Sequence, residues 1–376
     1  MDDDQRLAMA EATRLTRSGR LTEATELLQR RLANAPNGPA PRRTAPVGQR
    51  ALPTGAPTRT GAKADPSRGW PGGVGETGVA EPMYARVPAG RFLDGSASRA
   101  RGGLRYKLYL PSGYTGAPLP LVVMLHGGTQ RTDDFAAGTR MNTVADQAAF
   151  LVAYPEQSTS ANSMRYWNWF QADNQRRGGG EPAVIAGITG DVIRDYAVDA
   201  GQVYVAGFSA GGAMAAVMAA TYPDVYAAAG VHSGLAYGVA HDVASAFTAM
   251  KQGPSREVRL PGKAIPLIVF HGDRDQTVDH VNGDRLVDQW RSAAADGAGG
   301  GRTGGAPTVH RAHVPGGRSF TQSTYPDARG DFAMEQWVVH GAGHAWSGGG
   351  ASSSYTDPLG PDASAEMARF FRAHRK

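Results

Sequence analysis

The pentapeptide Gly207-Phe208-Ser209-Ala210-Gly211 constrains this chain more than any other feature. It follows the apolar run Val203-Tyr204-Val205-Ala206 directly and precedes a stretch of small residues, 212–220. A glycine-flanked serine between a strand and a small-residue helix predicts a sharp turn that holds the Ser209 hydroxyl exposed in a strained conformation. The helix opening behind it aims free backbone N–H groups, and a partial positive charge, at any anion forming there, with Ala210 as the first donor. A chance G-x-S-x-G in a glycine-rich chain would lack the strand before it and the helix after it.

Such a turn needs partners, and three loops supply candidates. Residues 120–125 are apolar and run into His126-Gly127-Gly128-Thr129-Gln130. A glycine turn after an early strand lets backbone approach a substrate closely, so Gly128 is expected as a second N–H donor to an oxyanion, with Thr129 as the alternative. His126 itself reads as a histidine bonded within the loop. The apolar run 266–270 leads into His271-Gly272-Asp273-Arg274-Asp275. An aspartate there can orient an imidazole and stabilise its cation. Asp275 is the expected acid and Asp273 the next candidate, because Asp273 lies nearer the strand end, where it can fix the turn.

The base follows from position. Of the ten histidines, His340 closes an apolar run, and His310 and His313 fall in an expected strand. His344 lies in the glycine loop Gly341-Ala342-Gly343-His344-Ala345-Trp346, after the last expected strand and before the final helix. The order serine, acid, histidine is the one this kind of turn requires. Trp167 and Trp169, in Tyr166-Trp167-Asn168-Trp169-Phe170, and Trp346 are candidates to line a substrate pocket, the first two equally readable as a core plug.

Around these motifs short β-branched runs alternate with helical segments, the pattern of a mainly parallel sheet covered on both faces. Strands are expected near 104–110, 121–125, 150–154, 203–206, 227–231, 266–270 and 335–340. Helices are expected near 133–148, 181–196, 210–222, 281–295 and 363–374, and residues 235–262 form an insertion able to cover a pocket. This catalytic domain is taken as 81–376. Residues 35–80 contain 9 Gly and 8 Pro and read as a flexible linker. Residues 1–34 carry leucines at helical spacing on both sides of Ser18-Gly19-Arg20 and read as a short helical hairpin. Part of it resembles half a tetratricopeptide unit, which cannot bury its own apolar face. It is expected to dock on the main domain or in a homodimer, or else to serve as an adaptor for a polymer or granule surface.

The net charge of +5 raises the question of a nucleic-acid partner, but +4 of it sits in residues 35–80 and +1 in residues 81–376. A nearly neutral domain is not built to bind phosphates. With no cysteine, disulfides, thiolate metal sites and a cysteine nucleophile are excluded. No metal or organic cofactor is expected. The chain opens Met-Asp-Asp-Asp without the basic and apolar regions of a secretory signal and has no apolar run of membrane-spanning length, so a cytoplasmic location is expected.

Taken together, LVVMLHGGTQ, DDFAAGTRMN, YWNWF, GEPAVIAGI, VYVAGFSAGGAMAAVMAATYPD, AAGVHSGL, HGDRDQTVD and GAGHAWSGG resemble the esterase family of polyhydroxybutyrate depolymerases, which includes feruloyl and acetylxylan esterases. The resemblance covers roughly 104–350. It implies the α/β-hydrolase fold, with Ser209 as nucleophile, Asp275 as acid and His344 as base. The implied substrates are short-chain 3-hydroxyalkanoate esters or oligomers, with feruloyl or acetylxylan esters as the alternative. A non-catalytic scaffold recruited to a granule through residues 1–34 is the rival from another class. Many relatives have cysteines, thought to be disulfide-bonded, where this chain has Gly128 and Tyr166; their joint absence accords with a reducing compartment.

Overall fold

A computed structural model describes residues 90–97, 103–254, 256–297, 306–326 and 332–376, together with Glu11 and Leu27. The expected hairpin and linker therefore lie outside the described residues, apart from those two positions.

Ten strands form one sheet. They are β1 (Arg91–Ser96), β2 (Arg105–Leu110), β3 (Leu119–Leu125), β4 (Leu151–Pro155), β5 (Val198–Phe208), β6 (Ala228–His232), β7 (Leu267–Gly272), β8 (Thr308–His313), β9 (Ser319–Pro326) and β10 (Phe332–Val339). Their spatial order is β1-β2-β4-β3-β5-β6-β7-β10-β9-β8. The six strands from β4 to β10 in that order are mutually parallel, and both edges are antiparallel. Parallel strands bring their carboxyl ends to one edge of the sheet, so loops after β3, β5, β7 and β10 share that edge.

Seven α-helices are described: α1 (Thr132–Thr139), α2 (Met141–Ala148), α3 (Gly180–Asp195), α4 (Ala210–Thr221), α5 (Val243–Gln252), α6 (Val281–Gly297) and α7 (Ala363–Arg372). Alternate residues of the central strands feed two cores. Val123, Val205 and Val269 pack with Ile188 of α3, the buried face of α4 and Trp290 of α6. Met124, Ala206 and Phe270 face the other way, toward Phe135 of α1, Met141 of α2 and Phe371 of α7. Period-two strands between two helical layers give this sandwich.

The single helix expected over 133–148 is two, because Arg140 adopts a left-handed conformation (φ 56°) between α1 and α2. Strand β1 had no sequence expectation, since its side chains sit at an edge and alternate only between exposed and half-buried. The 235–262 insertion contains α5, begun by an Asp242–Ser245 capping box. Its Met250 carbonyl accepts the Asp279 N–H at 2.7 Å, so it braces the loop that follows β7.

Candidate active site

Ser209 stands between β5 and α4 with φ 56° and ψ −120°, a region a side-chain-bearing residue occupies only when its surroundings force it. The force is identifiable. The Ser209 N–H donates to the His232 carbonyl at 2.9 Å, and its own carbonyl accepts the Ala213 N–H at 2.9 Å. A Cβ on Gly211 would overlap the carbonyl oxygens of Leu125 and His126, so only glycine lets α4 lie this close to the end of β3. The amides of Ala210, Gly211 and Gly212 fall in the first turn of α4, where backbone N–H groups have no intrahelical acceptor.

The sequence-predicted residues converge here from three strand ends. His344 Nε2 lies 2.9 Å from Ser209 Oγ, and His344 Nδ1 lies 2.7 Å from Asp275 Oδ2. With the carboxylate accepting, Nδ1 carries the proton and the Nε2 lone pair faces the hydroxyl. The other Asp275 oxygen accepts the N–H groups of Thr277 and Val278, both at 2.9 Å. Burial pulls the Asp275 carboxyl upward, but hydrogen bonds from His271 and His344 outweigh it and hold the group well below the usual carboxylate range. Asp273 turns away: it accepts from Gly341 N at 2.6 Å and contacts His340 Nδ1 at 2.9 Å, fixing the turn before the His344 loop.

Gly128 and Thr129 part company. The Thr129 N–H donates to the Met164 carbonyl at 2.7 Å, so it is spent and cannot serve an oxyanion as the alternative donor. The Gly128 N–H makes no hydrogen bond within the described residues. The preceding turn is closed by the Gln130 side chain, which accepts the Gly127 N–H at 2.9 Å. His126 is buried in the same loop, between Gly127 O at 2.7 Å and the Gln157 N–H at 3.1 Å. Burial lowers its pKa to about 4, so it is neutral near pH 7.

The tryptophans do not line a pocket. Trp167 is 0% exposed with its indole N–H on the His126 carbonyl at 3.0 Å. Trp346 is 1% exposed with its N–H on Ser364 Oγ at 3.1 Å. Trp169 is buried edge-on against Phe170. Each puts its apolar area into the core, and Trp167 and Trp346 also satisfy their polar atom there, which removes all three from substrate contact.

Sequence reasoning missed three residues around the triangle. His232, at the end of β6, stacks between Phe270 and Trp346 and accepts the Ser347 N–H at 2.9 Å, pinning the His344 loop from below. Burial, then the neighbouring His271 and His344, push its pKa well down. His271 is buried with Nε2 2.9 Å from Val278 O and 3.5 Å from Asp275 Oδ2. Its HGD context marked the loop but not this contact. Tyr355, 46% exposed, sets its ring 6.4 Å from that of His344 and 6.3 Å from that of Phe208. It lies in a glycine- and serine-rich stretch with no periodicity to announce it.

Tyr166 and Gly128, the positions at which the family resemblance implied a cysteine pair, are neighbours: the Tyr166 ring fills the space a Gly128 Cβ would enter. Without a disulfide, the loop is tied by Arg165 to Glu156 at 2.7 Å, Gln157 Nε2 to the Tyr166 carbonyl at 2.9 Å, and Asn168 to Glu181 at 2.6 and 2.8 Å.

A profile of the family described as Esterase PHB depolymerase matches residues 104–309. The chain belongs to this family. It is 32% identical over 255 residues to poly(3-hydroxyalkanoate) depolymerase C of Paucimonas lemoignei, covering 65% of this chain and 58% of that protein. It is 35% identical over 112 residues to feruloyl esterase B of Neurospora crassa, covering 30% of this chain and 37% of that one. Family members of these two kinds are thus matched over little more than half their length or less. The acetyl xylan esterase from Aspergillus awamori superposes with a TM-score of 0.56 at 21% identity, over 74% of this chain and 99% of that chain. That likeness shows the shared α/β-hydrolase fold. Among the described residues no cluster of His, Asp or Glu is arranged to hold a metal ion, and no helix is long and apolar enough to cross a membrane.

Proposed function

We propose that this family member is a serine esterase acting through an acyl-enzyme. The observation that carries the reading is the unbroken series Ser209 Oγ, His344, Asp275, at 2.9 and 2.7 Å. His344 Nε2 takes the Ser209 proton as Oγ attacks the ester carbonyl, and the imidazolium is stabilised through Nδ1–H by Asp275. The Ala210 and Gly128 N–H groups receive the oxyanion. His344 then protonates the leaving alcohol, and water, activated by the same nitrogen, releases the acid and restores Ser209. The neutral state of His232 matters: a second cation beside His344 would oppose formation of the imidazolium.

The proposed substrates are short-chain 3-hydroxyalkanoate esters or oligomers, supported by family membership and by the depolymerase relative. Residues 1–34 are proposed to dock a second copy or a polyester granule, and a chain without cysteines suits a reducing cytoplasm. Turnover of 3-hydroxybutyrate oligomers, methyl ferulate and acetylated xylan, each with a Ser209→Ala control, tests the reading. Activity on the oligomers that vanishes in the variant supports it. Activity confined to the other two substrates would assign a feruloyl or acetylxylan esterase, and none on any ester would favour a scaffold.

A further inference from the structure

Beside the proposed nucleophile the fold fixes the backbone of one partly exposed aromatic residue from several sides. Tyr355 has φ 53°, a left-handed conformation that strains a non-glycine residue. Its neighbours enforce it from both sides. Ser354 is held by the Asp134 carboxylate and by the Gln130 amide at 3.3 Å. Thr356 Oγ1 donates to the Gly350 carbonyl at 2.6 Å and pairs in register with Trp346. The Tyr355 carbonyl itself accepts the Trp346 N–H at 2.7 Å, two residues beyond His344. All this anchoring fixes a ring that stays nearly half exposed, next to the imidazole.

The Tyr355 hydroxyl reaches back toward the other wall. It lies 3.4 Å from Thr129 Oγ1, the residue after the Gly128 amide, at a distance that makes a weak contact and leaves the hydroxyl free to turn to a better acceptor. On that wall stands Tyr166, lying against Gly128, its hydroxyl pKa raised to about 12 by burial and then by Tyr355. Tyr355 thus offers an exposed aromatic face and a hydroxyl beside His344, with the largely buried Tyr166 packed on Gly128 opposite.

We infer that Tyr355, with Tyr166 opposite, is a specificity determinant for esters that repeat: its ring packs on the aliphatic part of the unit being cleaved and its hydroxyl donates to the ester carbonyl of the adjoining unit. An isolated small ester presents no second carbonyl to receive that bond. This inference rests on the esterase reading above.

The experiment compares full-length wild type, Tyr355→Phe and Tyr355→Asn on linear 3-hydroxybutyrate trimer and p-nitrophenyl acetate. Asparagine tolerates the left-handed conformation, so its variant deletes the ring without straining the loop. The ratio of kcat/KM on trimer to that on acetate should fall about three- to tenfold in Tyr355→Phe, the size of one hydrogen bond, and further in Tyr355→Asn, mainly through KM. A ratio that does not move in either variant overturns the inference and leaves the esterase reading standing. Wild type inactive on both substrates would instead overturn the esterase reading, and wild type active on acetate alone would overturn the substrate class and this inference with it.

Discussion

Asp275 and His344, separated by 69 positions in sequence, meet at 2.7 Å, whereas Asp273, two residues earlier, reaches only the turn that precedes His344. The two aspartates therefore predict different variants. Asp275→Asn should lower kcat by about a hundred- to ten-thousandfold, since it removes both the orienting acceptor and the counter-charge. Asp273→Asn should cost less than about tenfold, because it loosens a half-exposed turn. Steady-state kinetics on a soluble p-nitrophenyl ester check both; the reverse ranking would assign the acid to Asp273.

His271 donates one Nε2–H shared between the Val278 carbonyl and Asp275, while its Nδ1 is buried without a hydrogen-bond partner among the described residues. It touches no expected substrate position and acts through the acid, as a positioning residue. His271→Phe should lower kcat about tenfold with a smaller change in KM, the loss of one charge-assisted hydrogen bond. A change in KM alone would mean that the residue only supports the fold.

The legible part of the site was the part written as local pattern. Ser209, Asp275 and His344 sit in glycine-rich loops immediately after apolar runs, and parallel strand order brings those loops to one edge. Trp346 misled because an aromatic residue beside a glycine loop has the same sequence signature whether its ring faces solvent or core, whereas for Trp167 and Trp169 the fold selects the core plug that the pattern left open. Their burial depends on where α7 and the His126 carbonyl lie. Tyr355 carried no signal at all: its position follows from Asp134, Gln130 and Trp346, contacts of long sequence separation. Likewise the split at Arg140 is a tertiary choice within a segment of helical propensity.

Two neutral histidines predict the acid side of the stability curve. His126 is held at a pKa of about 4 and His232 well below its ordinary value, against about 6.5 when unfolded. Below pH 6.5 the unfolded chain binds protons that the folded chain refuses, so stability rises with pH in this window. Each neutral histidine adds up to one proton to this slope, and His126 contributes roughly 3 kcal/mol between pH 6.5 and 4. Urea unfolding at pH 7, 6, 5.5 and 5 should show the fall, and His126→Asn should make the slope shallower by about one proton. An unchanged slope would mean that His126 is protonated in the folded state.

Tyr166 stands on Gly128, and the chain has no cysteine of its own. The double variant Gly128→Cys, Tyr166→Cys should therefore form one disulfide on oxidation, seen as two thiols lost by titration and a higher melting temperature than in the reduced protein. Thiols that stay free after oxidation would show the two positions to be too far apart or wrongly directed.

The most direct test of the account is covalent labelling of the proposed nucleophile. Incubation of the full-length protein with a fluorophosphonate, followed by peptide mass spectrometry, should place one adduct per chain on Ser209, with labelling slowed at least about a hundredfold in His344→Ala. A stable, folded protein that takes no label, or takes it on another residue, would contradict the series Ser209, His344, Asp275 as the catalytic unit.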